Sequence, residues 1–206
     1  MIRLGRQSKN HNETSPKCAS VKNPNKGNIH INNKLREKYG DCSAVLGGIG
    51  ENSVYAVRRQ QDGAIFAVKR FGRRHETEDE DIYRRKILGE FFLGSKLRHR
   101  HVIKIFELFE EQNHWEQVME YAAYSLFDRA CSKMSLAEID CSFKQIVAGV
   151  AYMHSMHVAH RDLKLENVMY THEGVLKLID FGTAAITALP GRDLPALVNG
   201  MSPDEF

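Results

Sequence analysis

Cysteine, proline and long apolar runs are scarce in this 206-residue chain, and each scarcity closes off a class of protein. The four cysteines (Cys18, Cys42, Cys131, Cys141) form no Cys-x-x-Cys pair and no metal-ligand spacing. They read as reduced thiols of a cytoplasmic protein. No apolar run approaches the roughly 18 residues of a membrane span. The N-terminus has no apolar middle region, which excludes a secretory signal. It has Arg and Lys with few acids, but its apolar residues are too scattered for the amphipathic helix of a mitochondrial presequence. A large excess of one charge is also missing, since the formal net charge is only +3. That charge is unevenly spread: residues 1–38 hold nine Lys and Arg against two Glu, so the rest of the chain is net acidic. An acidic body with a basic tail does not suggest a nucleic-acid-binding core. Apolar residues at 42% and charged residues at 27% are ordinary for a globular protein.

Composition then divides the chain. Residues 1–38 are rich in Asn, Lys and Ser, with Pro16 and Pro24, and are expected to stay disordered because they have too little apolar surface to bury. From Tyr39 the pattern turns to short strands. Val45–Gly50 and Val54–Arg59 flank a glycine-rich turn, Gln61-Asp62-Gly63 is a hairpin signal, and Ala64–Phe71 ends in Ala67-Val68-Lys69. The acidic run Glu76–Asp81 suits the start of a helix reaching Leu97, although Gly89 and Gly94 weaken it. Val102–Phe109 and Trp115–Tyr121 read as two more strands. Ser135-Leu136-Ala137-Glu138 is a capping box. Ile139, Phe143, Ile146, Val150 and Met153 follow at spacings of 4, 3, 4 and 3, the apolar stripe of one helix. Two short strands, Val168–Tyr170 and Val175–Ile179, come next. The order predicts two lobes with a cleft between them.

The chemistry is concentrated in His160-Arg161-Asp162-Leu163-Lys164-Leu165-Glu166-Asn167, with Asp180-Phe181-Gly182 beginning eighteen residues after Asp162. Phosphoryl transfer needs a group to orient a hydroxyl, oxygen ligands for Mg²⁺ and a cation for the moving phosphoryl group. Asp162 suits the first role, Asn167 and Asp180 the second, and Lys164 the third. Phe181 and His160 are expected to pack rather than react. Upstream, Gly48 and Gly50 would let backbone N–H groups approach phosphate oxygens. Lys69, in an apolar strand, requires a charge partner, and Glu90 is the natural one.

In this order and spacing the chain resembles a eukaryotic protein kinase over about residues 37–183. Lys164, two residues after Asp162, resembles the serine/threonine type. Glu37-Lys38-Tyr39-Gly40, Val118-Met119-Glu120-Tyr121, Asp140-Cys141-Ser142-Phe143-Lys144-Gln145 and Gly149-Val150-Ala151-Tyr152-Met153-His154 resemble the fungal halotolerance and permease-regulating kinases. The resemblance implies an α+β bilobal fold, with an antiparallel-sheet N-lobe over 39–121 and a helical C-lobe from 122 to 182. It also implies Mg-ATP as the phosphoryl donor and protein Ser/Thr hydroxyls as acceptors. Catalytic roles fall to Asp162, Lys164, Lys69 and Glu90. Nucleotide contacts fall to Gly48, Gly50, Ser53, Ala67, Lys69, Met119, Glu120 and Ala122, with adenine hydrogen-bonded by the backbone of Glu120 and Ala122. Three departures stand out: Ser53 in place of a third glycine, Tyr55 where a valine usually covers adenine, and Leu165 for a frequent proline. After Gly182 no Ala-Pro-Glu motif follows, and Pro190, Gly191, Pro195, Gly200 and Pro203 make 183–206 read as an irregular tail. The C-lobe is thus expected to be partial, which keeps a non-catalytic nucleotide-binding or interaction module as the rival reading.

Overall fold

A computed structural model describes residues 31–49 and 52–187. The first element is a helix, α1 (Asn33–Tyr39), capped by the Asn32 side chain, which accepts from the backbone of Lys34 and Leu35. This corrects the expectation of disorder through residue 38; residues 1–30 lie outside the described part. The polar composition hid a stripe at helical spacing. Ile31, Leu35 and Tyr39 recur every four residues, and all three are buried.

Five antiparallel strands follow: β1 (Cys42–Ile49), β2 (Asn52–Arg58), β3 (Ile65–Phe71), β4 (Ile105–Glu111) and β5 (His114–Glu120), in spatial order β1-β2-β3-β5-β4. Between β3 and β4 runs α2 (Glu80–Lys96), with Asp79 as its cap. It starts four residues later than the acidic run suggested. Strand alternation gives the sheet two different faces. Tyr55, Val57, Phe66, Val68 and Val118 form one core with Ile31, Leu35 and Tyr39. Ala67 and Met119 belong to the other, larger core, which continues through Leu97, Val102, Ile103 and Ile105 to Leu126, Met153, Val158, Val168, Leu176, Leu178 and Phe181. One core therefore runs from the inner face of the sheet into the second half of the chain.

That half contains β6 (Tyr124–Ser125), α3 (Leu126–Cys131), α4 (Leu136–Ser155), β7 (Val158–Ala159), a 3₁₀ turn (Leu165–Asn167), β8 (Val168–Tyr170), β9 (Leu176–Leu178) and β10 (Ala185–Ile186). Strand β10 pairs with β7, so the segment after Gly182 is not irregular from its first residue; residues 188–206 lie outside the described part. Both halves of the Ser135–Glu138 capping box are made. The stripe expected on α4 is only half right. Ser142, Gly149 and Met153 are its buried residues, whereas Ile139 and Phe143 are exposed along with Leu136 and Val147. Segment 97–104 joins the halves. The N–H of Ile103 donates to the Leu178 carbonyl and that of Leu178 to the His101 carbonyl, both at 2.9 Å.

Candidate active site

Lys69 projects from β3 on the inner face of the sheet, and α2 carries Glu90 past it. The Lys69 Nζ lies 2.6 Å from Glu90 Oε1 and 3.0 Å from Asp180 Oδ1. One ammonium thus joins the sheet, the helix and the segment after β9. Burial alone would lower the Lys69 pKa, but two carboxylates at contact distance outweigh it and raise it. Burial raises Glu90, outweighing the attraction of Lys69. Burial also pushes Asp180 upward; the charge and hydrogen bond of Lys69, with the Gly182 N–H, prevail and hold it low. Asp180 adopts a left-handed backbone (φ 66°), a conformation that a non-glycine residue keeps only where its surroundings impose it.

Asp162, Lys164 and Asn167 converge below this point. Asp162 Oδ2 is 2.7 Å from Lys164 Nζ and accepts from Asn167 Nδ2 at 2.9 Å. The same Nδ2 donates to the Asp162 carbonyl at 2.9 Å. The Lys164 hydrogen bond, opposed by partial desolvation and reinforced by Asn167, keeps the Asp162 carboxyl below its ordinary range. Asp162 is therefore an ionised acceptor at neutral pH. His160 and Phe181 are buried, as expected, with ring centroids 5.7 Å apart, and His160 Nε2 is paired with the Ile179 carbonyl at 2.9 Å. Arg161, also left-handed, donates to the Thr183 carbonyl, and Thr183 Oγ1 donates to the His160 carbonyl at 3.1 Å. These bonds tie the segment after Gly182 to the loop that carries Asp162. Sequence reasoning missed both because neither residue type announces such a contact.

Of the residues expected to contact nucleotide, Ala67 and Met119 pair across β3 and β5 and sit in the inner core. Ala122 is buried just beyond β5, and among the described residues nothing takes its N–H. The Glu120 N–H donates to the Lys104 carbonyl at 2.8 Å. Gly48 has φ +77°, and a β-carbon there would lie 2.0 Å from the Asn52 carbonyl oxygen. Ser53 faces Gly48 in register and is buried, and among the described residues its Oγ has no hydrogen-bond partner. Gly50 lies outside the described residues.

One assignment is overturned by strand alternation. Tyr55 does not cover the cleft. It is fully buried in the outer core, donating to Glu116 Oε1 at 2.9 Å. Its neighbour Val54 stands opposite Lys69 in register and packs on the inner core. A valine is thus present on the cleft face, one position earlier than simple counting from the glycines implies.

Two further features were not singled out beforehand. A β-carbon at Gly94 would fall 2.4 Å from Ile105 Cδ1 and 2.7 Å from Phe181 Cδ2. The glycine that weakened the helix forecast is the place where Phe181 reaches α2. Second, buried Lys177 on β9 pairs with Glu120 Oε1 at 2.9 Å, tying the end of β5 to the second half of the chain.

The sequence that carries these residues is similar to that of known proteins. The sequence pattern of the protein kinase domain matches residues 44–196. The chain is 45% identical over 157 residues to serine/threonine-protein kinase oca2 of Schizosaccharomyces pombe, covering 76% of this chain and 24% of that protein. It is 43% identical over 155 residues to the nitrogen permease reactivator protein of Saccharomyces cerevisiae, covering 75% of this chain and 20% of that protein. Against serine/threonine-protein kinase HAL4/SAT4 of Saccharomyces cerevisiae the identity is 41% over 160 residues, covering 72% and 26%. The chain spans about a quarter or less of the length of these curated relatives.

Proposed function

The chain belongs to the protein kinase family, and from that premise we propose that it is the nucleotide-binding and catalytic part of a serine/threonine protein kinase, moving the γ-phosphoryl group of ATP to protein hydroxyls. The observation that carries this reading is the convergence of Lys69, Glu90 and Asp180 within 3.0 Å, with the ionised Asp162 held by Lys164 and Asn167 in the loop below. Lys69, fixed by Glu90, holds the nucleotide phosphates. Asp162 accepts a hydrogen bond from the acceptor hydroxyl and aims its oxygen at the γ-phosphorus. As the new P–O bond forms, the bond to the β-phosphate oxygen breaks, ADP departs, and the hydroxyl proton passes to Asp162. Lys164 places positive charge beside the moving group. Met119 and Ala67 line the adenine pocket. The free N–H of Ala122 and the carbonyl of Glu120 would meet the base.

The donor set fits Mg²⁺. Nδ2 of Asn167 is spent on Asp162 and Oδ1 of Asp180 on Lys69 and Gly182, so Asn167 Oδ1 and Asp180 Oδ2 remain without protein donors among the described residues. Two hard oxygens with nucleotide phosphates are what Mg²⁺ accepts. When bound, the ion would neutralise charge on the phosphates.

Protein substrates follow from the family. The likeness to a protein named nitrogen permease reactivator and to the halotolerance kinases suggests regulation of transporters or ion balance. No helix among the described residues is long and apolar enough to cross a membrane, and Cys131 and Cys141 form no disulfide among the described residues; a cytoplasmic location agrees with both. The test is a thermal-shift titration with Mg-ATP beside phosphorylation of a basic protein substrate. Nucleotide at one hundred times its Kd should add about 2.7 kcal/mol. Asp162→Asn should keep binding and lose turnover, whereas Asp180→Asn should also lose the Mg²⁺-dependence of binding. No shift at millimolar nucleotide in folded protein would refute the reading.

A further inference from the structure

Glu116 is a carboxylate in the middle of the sheet's outer face, only 1% exposed. A buried charge there is tolerated only if it is paired and its lone pairs are used. Arg70 donates through Nε at 2.9 Å and through Nη2, and Tyr55 OH donates at 2.9 Å. The remaining donor is not part of the sheet: it is the backbone N–H of Asn32, at 3.1 Å. The segment that supplies it is anchored along its length. Ile31, Leu35 and Tyr39 fill the outer core. Asn33 binds the Glu111 carboxylate through its N–H and its side chain at 3.0 and 2.9 Å, and Lys38 pairs with Glu107. The family match starts at residue 44, so this segment lies outside it.

Register connects the segment to the cleft. In the β3–β5 ladder Arg70 stands opposite Glu116 and Lys69 opposite Gln117. Successive side chains point to opposite faces. Arg70 and Glu116 therefore fix the outer face of the ladder one residue from the point where Lys69 leaves the inner face. The placement of Lys69 matters, because a misplacement of about 1 Å at a reacting centre can cost about a hundredfold in rate.

We propose that residues 31–40 are a positioning element for Lys69: by filling the outer core and supplying the last donor to Glu116, the segment fixes the β3–β5 ladder that holds the Lys69 ammonium between Glu90 and Asp180. The functional consequence rests on the reading of Lys69 as the phosphate-holding cation; the positioning itself is measurable without nucleotide.

The experiment uses the full chain with Asn32→Ala, which removes the cap of α1, and Leu35→Ala, which empties part of the outer core. Native near-UV circular dichroism is verified first. Acylation of Lys69 by an amine-reactive ester is then followed by mass spectrometry, with exposed Lys144 on α4 as internal reference. We expect Lys69 to react about fivefold faster in either variant, the size of a modest coupling between sites, with Lys144 unchanged and Leu35→Met close to wild type. A second measurement crosses each variant with Lys69→Met and reads the Kd for Mg-ATP. The variant should raise Kd about fivefold when Lys69 is present and less than twofold when it is not. Unchanged labelling of Lys69 in both folded variants overturns the proposal. So does an equal acceleration at Lys144, or an equal rise in Kd in both backgrounds. If Lys69 labelling responds but the wild-type chain binds no Mg-ATP, the positioning stands and the kinase reading falls.

Discussion

Helices α1 and α4 make opposite impressions as sequences and play opposite parts in the fold. Helix α1 is seven residues long and mostly polar, yet Leu35 is fully buried and Tyr39 nearly so. Helix α4 is twenty residues long and rich in apolar side chains, yet Leu136 is 86% and Phe143 65% exposed, and its buried residues include Ser142 and Gly149. The amount of apolar surface on a helix therefore did not decide which helix is sealed in. What decided it is the neighbour each face meets. Three side chains spaced by four are enough for α1 because the outer sheet face offers Tyr55, Val57, Phe66, Val68 and Val118 to receive them. Helix α4 brings Gly149 against segment 97–104 and β9, where a β-carbon would lie only 3.0 Å from the His101 carbonyl oxygen, while Ser142 meets the Tyr170 hydroxyl on β8. Close approach selects glycine there, Met153 is buried with Ile146 and Val150 packed on the same core, and Leu136, Ile139, Phe143 and Val147 are left exposed.

The contrast can be broken most forcefully at the outer face. Glu116→Ala breaks the buried ion pair with Arg70, whose side chain is itself only 11% exposed, and takes the acceptor from the buried Tyr55 hydroxyl. Breaking a buried pair by removing one partner costs about 3–5 kcal/mol. Leu35→Ala should cost about 2–5 kcal/mol, as in other full cavities. Both should appear as lower urea midpoints at unchanged m. A loss below about 0.5 kcal/mol for Leu35→Ala, the range of ordinary surface changes, would mean that α1 is not held as described.

Gly94→Ala ranks next, at about 1–3 kcal/mol, the usual cost of overpacking. The added carbon can move Ile105 Cδ1 aside by a rotamer change, but the buried ring of Phe181 has nowhere to retreat. The same substitution should weaken Mg-ATP binding, since Phe181 adjoins Asp180. Full stability with normal binding would show that α2 has slack at this turn.

These residues also show what the sequence could and could not disclose. The pairing in the cleft was legible from residue type and spacing: Lys69 needed a carboxylate, Glu90 was at hand, and the two meet at 2.6 Å. The five sheet strands, the capping box and the burial of His160 and Phe181 were legible for the same local reasons. Where reading failed, the cause was a neighbour distant in sequence. The stripe of Ile31, Leu35 and Tyr39 was present, but without the sheet face its polar setting outweighed it. Tyr55 was assigned by counting from the glycines, and in a strand a count that is off by one residue reverses the face. Lys177–Glu120 and Arg161–Thr183 join residues with no shared motif at all.

A smaller effect, lost at acid pH, separates the N-terminus of α4 from its exposed face. Glu138 accepts from the Ser135 N–H at 2.8 Å and pairs with Arg129. The backbone hydrogen bond, then Arg129 and the Ser135 side chain, hold its carboxyl down to about 2. A depressed folded-state pKa means that the contribution is complete above the ordinary value of 4.5 and is lost as pH falls toward about 2. The Tm gap between wild type and Glu138→Gln should therefore be constant above pH 5 and close on acidification. A gap that persists unchanged at pH 2 would assign the difference to something other than the carboxylate.

The smallest expected effect bears most directly on the comparison. Phe143→Ser removes the ring that α4 exposes most among its aromatic residues. No described residue is shown packing on that ring, so stability should change by no more than about 0.5 kcal/mol. A tyrosine or leucine at a truly covered site could not be lost so lightly. The substitution should instead act on association, because Leu136, Ile139, Phe143 and Val147 together are an apolar patch of the kind that draws surfaces together. Sedimentation velocity at rising concentration, wild type against variant, reads this directly, and denaturant melts of the same samples give the stability. A variant less prone to associate and equally stable confirms that α4 is sealed on one side only. A loss above about 2 kcal/mol, in the range reserved for filled core sites, would show that the face is covered in solution and that the two helices are alike after all.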